Sequence, residues 1–113
     1  MRNEAQNIDD ELERQRQLRF AIYERERVER RITFLMEANS TITVLDVDYN
    51  TSQCKGPAQA RNRILNNIPL NVDRNLFLRE LDGELERFES NRTELERLTT
   101  RSRQLTRIIS RLS

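Results

Sequence analysis

From residue 4 to residue 38 the chain contains no glycine or proline, and its larger apolar residues fall at Ile8, Leu12, Leu18, Ile22, Val28, Ile32 and Leu35. With Gln15 and Arg25 at the intervening places, this spacing traces one face of an α-helix. The remaining positions are mostly Glu, Arg and Gln, which form helices readily. The pairs Glu13–Arg16, Glu24–Arg27 and Glu26–Arg30 each add about 0.2–0.5 kcal/mol. A helix over 4–38 would run about 50 Å at the α-helical rise. Its stripe is too thin and too interrupted to hold it in water without a partner.

The stronger pattern lies at the other end. Leu81, Phe88, Leu95, Ser102 and Ile109 recur every seven residues, and Leu98, Leu105 and Leu112 each lie three residues further on. With Phe88 at position a of a heptad, Asn91 and Ser102 are polar interruptions of an otherwise apolar seam. Leu78 and Leu85 precede the first series by three residues, so the stripe shifts around the helix near Asn91 and Arg92. Asp73 is placed to cap this helix, and acids crowd its front while only arginines follow Glu96, as the helix dipole favours. The spacing predicts a helix over 73–112.

Residues 39–72 break the helical pattern. "TITVLDVDY" is β-branched and partly alternating, as strands are. "CKGP" marks a turn, and "PAQARNRILNNI" suits a short helix with Pro57 at its first position. A strand here needs a mate, either nearby in the chain or in a second copy. The whole chain reads as one domain, 1–113, made of helix 4–38, a connecting head 39–72 and helix 73–112.

Composition sharpens this picture. Charged and hydrophobic residues each make up 35% of the 113 residues and aromatics 5%, which suits long helices with narrow apolar stripes. A net charge of +1 and periodic apolar positions set the chain apart from a disordered one. The balance of 20 basic against 19 acidic residues argues against a general nucleic-acid binder. Every base except Lys55 is arginine, whose planar fork suits ion pairs between helices. No apolar run approaches the length of a membrane span, the polar start "MRNEAQNIDDELERQRQ" is no signal peptide, and the lone Cys54 makes no internal disulfide. The expected location is therefore intracellular, in the cytoplasm, and the three Asn-X-Ser/Thr sequons at Asn39, Asn50 and Asn91 are read as chance.

Candidate chemistry is sparse. Asp46, Asp48 and Asn50 carry the alternate spacing that opens a calcium loop, but Thr51 and Pro57 stand where the turn glycine and the bidentate glutamate belong. Cys54 beside Lys55 has no histidine anywhere in the chain to activate it. "CKGPAQA" lacks the glycine spacing of a phosphate loop, and the carboxylates Asp9, Asp10, Glu84 and Glu86 lie on charged helical faces. No metal site, cofactor or enzymatic activity is expected.

Helix, compact middle, helix is the arrangement of prefoldin β-type subunits, antiparallel coiled-coil hairpins whose β-hairpin heads assemble a hexameric chaperone. The stretch "ELERFESNRTELERL" (84–98) and the "KGP" after the strand-like run resemble that pattern. The head departs from it, because "NTSQCK" and "AQARNR" are polar where apolar strands would flank the Gly-Pro.

The expected protein is mainly α, an antiparallel helical hairpin or coiled coil with a small irregular or β-containing middle segment, completed by oligomerisation. Its expected function is non-enzymatic scaffolding or bridging within a larger complex. The expected interface is Ile22, Val28, Ile32 and Leu35 facing Leu81, Leu85, Phe88, Leu95, Leu98, Leu105, Ile109 and Leu112. Phe20, Tyr23, Phe34 and Phe77 lie off this seam as anchors for a second partner. The partner is the chain itself or another protein. In an antiparallel hairpin, "NIDDELE" would lie beside the C-terminal arginines. A second reading makes Arg97, Arg101, Arg103, Arg107 and Arg111 contacts to nucleic acid or a nucleic-acid-handling protein in a regulatory or inhibitory binder. A third is a prefoldin-like chaperone subunit.

Overall fold

The computed structural model describes residues 4–45 and 47–113. The chain is mainly helical, with three helices and one two-stranded antiparallel sheet among the described residues. In chain order these are α1 (Glu4–Ala38), β1 (Thr41–Val44), β2 (Val47–Asn50), α2 (Pro57–Asn66) and α3 (Arg74–Leu112), with a single 3₁₀ turn at Thr51–Gln53. They form two compact units, Met1–Thr33 with Glu96–Ser113, and Phe34–Leu95.

The second unit holds most of the fully buried side chains. The run "TITVLDVDYN" folds back at Leu45, so the mate of the first strand is the next strand of the same chain. Thr41 pairs with Asn50, Ile42 with Tyr49, Thr43 with Asp48 and Val44 with Val47. Ile42 and Val44 point to one face and are buried, while Thr41 and Thr43 on the other are exposed, the period-two pattern of a strand with one wet face. Such a hairpin is marginal in water by itself. It is held by a core of Ile42, Val44, Ala60, Ile64, Phe77 and Leu81, against which Tyr49, Cys54, Leu65, Ile68, Val72 and Leu85 pack. The head therefore joins the hairpin, α2 and the first turns of α3.

Local chemistry explains where these elements begin. Gly56 precedes α2 with φ 122° and ψ −179°, a region open essentially to glycine alone, and Pro57 follows at the first helical position. Gln59 Oε1 accepts from the backbone N–H of Lys55, one residue ahead of the cap, and so ties the turn to the first turn of α2. Asp73 caps α3, its Oδ1 accepting from the backbone N–H of Asn75 at 3.0 Å and of Leu76 at 3.2 Å. Asn39 Nδ2 donates to the Phe88 carbonyl at 3.0 Å and Asn91 Nδ2 donates to Asn39 Oδ1 at 3.1 Å. The polar interruption at Asn91 thus has a purpose inside this unit, since a paired asparagine in an apolar seam fixes register.

In the first unit α1 and α3 meet with opposite polarity. Arg14 donates to the Leu112 carbonyl, and Arg101 binds Glu24 at 2.9 Å and 3.0 Å. Leu105 and Ala21 are the buried apolar residues among the described residues of this unit.

Two backbone positions make opposite predictions. A Cβ at Gly56 would meet nothing within 4 Å, so Gly56→Ala is expected to lose about 1–3 kcal/mol through backbone strain alone. Leu45 sits at φ 50° with its side chain largely in water, where asparagine is better tolerated. Leu45→Asn is expected to gain about 1 kcal/mol. Urea denaturation of the two variants reads both signs.

Candidate interaction surface

None of the twelve residues expected at the interface is exposed. Leu35, Leu81 and Leu105 are buried, and Ile22, Val28, Ile32, Leu85, Phe88, Leu95, Leu98, Ile109 and Leu112 are half-buried. They do not all serve one seam. Leu81 belongs to the core of the head, and Leu85 packs against it. On α1 the described side chains that are not exposed are those of Arg14, Leu18, Ala21, Ile22, Glu24, Arg25, Val28, Ile32 and Leu35, and apart from Ile22 and Glu24 they are spaced alternately four and three residues apart. Ile8 and Leu12, expected on the stripe, are 60% and 51% exposed. Ala21, Ile42, Val44, Ala60 and Ile64 are buried residues absent from the expected set. For Ala21 the signal was the seven-residue spacing to Val28 and Leu35, masked because alanine is small and Arg14 continues the series.

The four off-seam aromatics divide. Phe77 is 1% exposed and forms the centre of the head core, so it is no anchor for a partner. Its position four residues before Leu81 sets it on the face that α3 turns to the hairpin. Phe20, Tyr23 and Phe34 are 69%, 58% and 57% exposed.

Among the arginines expected to meet an anionic partner, Arg101 is engaged by Glu24 through Nε and Nη2, a fork-to-carboxylate geometry stronger than a single contact. Arg97, Arg103, Arg107 and Arg111 are exposed. The acidic start of α1 comes near the end of α3: Arg14 lies on the Leu112 carbonyl, and Glu13 lines one groove with Arg111. Glu11 binds Arg14 at 2.6 Å and Glu13 binds Arg16 at 3.1 Å, both within α1. The hydrogen bond from Arg14 holds the Glu11 carboxyl below the usual carboxylate range.

A groove of about 420 Å³ runs along the first unit, with Phe20, Ala21, Leu105 and Ile108 among its apolar walls and Arg16, Arg101 and Arg111 among its charged ones.

The calcium-like spacing places Asp46 outside the described residues. Asp48 accepts from Thr43 Oγ1 across the hairpin, and Asn50 Oδ1 accepts from the Ser52 backbone N–H at 2.9 Å. These two side chains order the hairpin. Among the described residues no group of three or more His, Cys, Asp or Glu is placed to hold a metal, and no helix is long and apolar enough to cross a membrane. Cys54 is half-buried against the head core.

Glu84 is the anomaly of the second unit. It lines a cavity of about 190 Å³ with Asn39, Thr41, Arg87 and Asn91. Its Oε2 is buried without a hydrogen-bond partner, and Arg87 approaches its other oxygen only to 3.9 Å. Burial pushes this carboxyl above its ordinary value of 4.5, against the pull of Arg87.

No known protein family, no curated protein and no solved structure matches this chain.

A raised carboxyl binds its proton more tightly in the folded than in the unfolded chain, so its contribution to stability falls as pH rises from about 4.5 through the folded value. Glu84→Gln is therefore expected to raise the unfolding midpoint at neutral pH and to flatten the loss of stability above pH 4.5. Thermal melts of both proteins across that range read the effect.

Proposed function

We propose that this chain is a non-enzymatic assembly protein, a coiled-coil limb carrying a small ββα head, which acts by associating with further helices to scaffold or bridge partners. One observation carries the reading. Among the described residues of the first unit only Ala21 and Leu105 are buried apolar residues, while Ile8, Leu12, Phe20 and Tyr23 stand more than half exposed on α1. Two helices that leave so much apolar surface in water gain little from each other beyond the entropy of ordering them. Further helices packed alongside supply the missing burial. The four-three spacing of the covered positions supports a coiled-coil geometry.

The second reading, binding to nucleic acid or a nucleic-acid-handling protein, is favoured by the exposure of Arg97, Arg103, Arg107 and Arg111 on a segment with no acid after Glu96. It predicts binding that collapses between low and moderate salt, whereas apolar association persists. The prefoldin-like reading has less support, since Gly56–Pro57 opens α2 and the hairpin lies entirely before it.

The assembly reading predicts light-scattering masses at multiples of 13.6 kDa over the micromolar range. The pair Leu98→Asp and Leu105→Asp places charges in the seam, each costing several kcal/mol unpaired, and is expected to abolish assembly. A wild-type chain that remains monomeric at high micromolar concentration would sink the reading.

A further inference from the structure

We propose that the outer face of α1 pairs antiparallel with the same face of a second copy of this chain, an inference that rests on the assembly reading and names its first partner. The covered residues of α1 have a counterpart on the opposite side of the helix. Leu12, Arg16, Arg19, Tyr23, Glu26 and Arg30 are also spaced alternately four and three residues apart, and all six are exposed. Residues two positions apart in sequence lie about 200° apart around a helix, so the second stripe faces away from the first. α1 thus carries two stripes of the same period, the second exposed, with its Arg16 and the flanking Phe20 at the rim of the groove against Leu105 and Ile108.

The bare stripe is complementary to itself in one orientation. An antiparallel pair sets a positions of one helix against d positions of the other. Centred between Arg19 and Tyr23, this exchange brings Arg16 of each copy to Glu26 of the other, and Arg19 to Tyr23, a cation–π pair. The flanking positions agree, because Phe20 meets Phe20 at the two-fold axis and Glu13 meets Arg27. Each contact occurs twice, as an isologous interface requires. A parallel pair would set Arg16 on Arg16 and Glu26 on Glu26, like charges that repel. Exposure supports the choice of residues: Phe20 and Tyr23 are 69% and 58% exposed, and the Arg16 side chain is 75% exposed.

A charge swap tests the register. Glu26→Arg alone, or Arg16→Glu alone, is expected to weaken dimerisation about tenfold, since two pairs per dimer become repulsive. Arg16→Glu combined with Glu26→Arg restores the pairs in reversed sense and is expected to return the dissociation constant to within about twofold. Sedimentation equilibrium reads the constant, and far-UV circular dichroism checks that these surface variants keep their helix. Single variants that dimerise like wild type, or a double variant that fails to recover, overturn this interface. Should Leu98→Asp with Leu105→Asp dissolve the assembly while Glu26→Arg does not, the assembly reading stands and this face is wrong. A monomeric wild-type chain overturns both. A monomer that instead binds oligo(dT) through Phe20 and Tyr23 overturns the pairing and assigns the face to nucleic acid.

Discussion

Phe77 and Leu81 hold the second unit together. They are the second and fourth apolar residues of α3, and they close over Ile42 and Val44 of the hairpin and Ala60 and Ile64 of α2. Neither a hairpin of two four-residue strands nor a ten-residue helix is stable alone in water. Each acquires its structure by giving its apolar face to that of α3. The core is small, but its six members are at most 2% exposed, and complete burial is what converts side-chain area into stability. The backbone specials follow from this. Gly56 takes a conformation closed to other residues so that α2 can begin where its Ala60 and Ile64 meet the core.

The first unit depends on a different kind of interaction. Its covered face includes Arg14 and Arg25, both half-buried, positions where a long stem can cover apolar surface. Direction comes from polar groups: Arg101 clasps both oxygens of Glu24, and Arg14 takes the last carbonyls of α3, where the helix dipole favours a cation. Partly exposed pairs of this sort contribute up to about 1 kcal/mol each. They choose a register more than they drive association. The contrast between a dry head and a polar limb is the physical reason to look for further helices beside the limb and not beside the head.

The helical character of the chain was legible from periodicity, because long runs free of glycine and proline leave few alternatives. Asp73 was legible as a cap for the same local reason. The hairpin was half legible: the β-branched run announced a strand, but the fold-back at Leu45 carries no glycine to mark it, and leucine seldom adopts a positive φ. The seam of α1 was misread in part. Counting large apolar residues drew the stripe through Ile8 and Leu12, whereas the covered positions include Ala21, Arg14 and Arg25, which such a count passes over. Leu81 and Phe77 were visible as apolar residues, yet their destination depends on where the hairpin and α2 lie. That is tertiary information, and no local spacing holds it.

The misreading has a structural meaning. α1 covers Leu18, Val28, Ile32 and Leu35 with Ala21, Arg14 and Arg25 among them, and still leaves Ile8, Leu12, Phe20 and Tyr23 more than half exposed. A lone amphipathic helix keeps its outer face polar. Phe20 and Tyr23 are costly to leave in water, and aromatic groups flanked by arginine are the composition of protein interfaces. The charges around them are mixed in sign, unlike the uniform cationic field that steers polyanions. Mixed charge with apolar centres suits packing against another helix, and the antiparallel complementarity of the stripe about residue 21 is what supports the proposal that this helix is a second copy of α1.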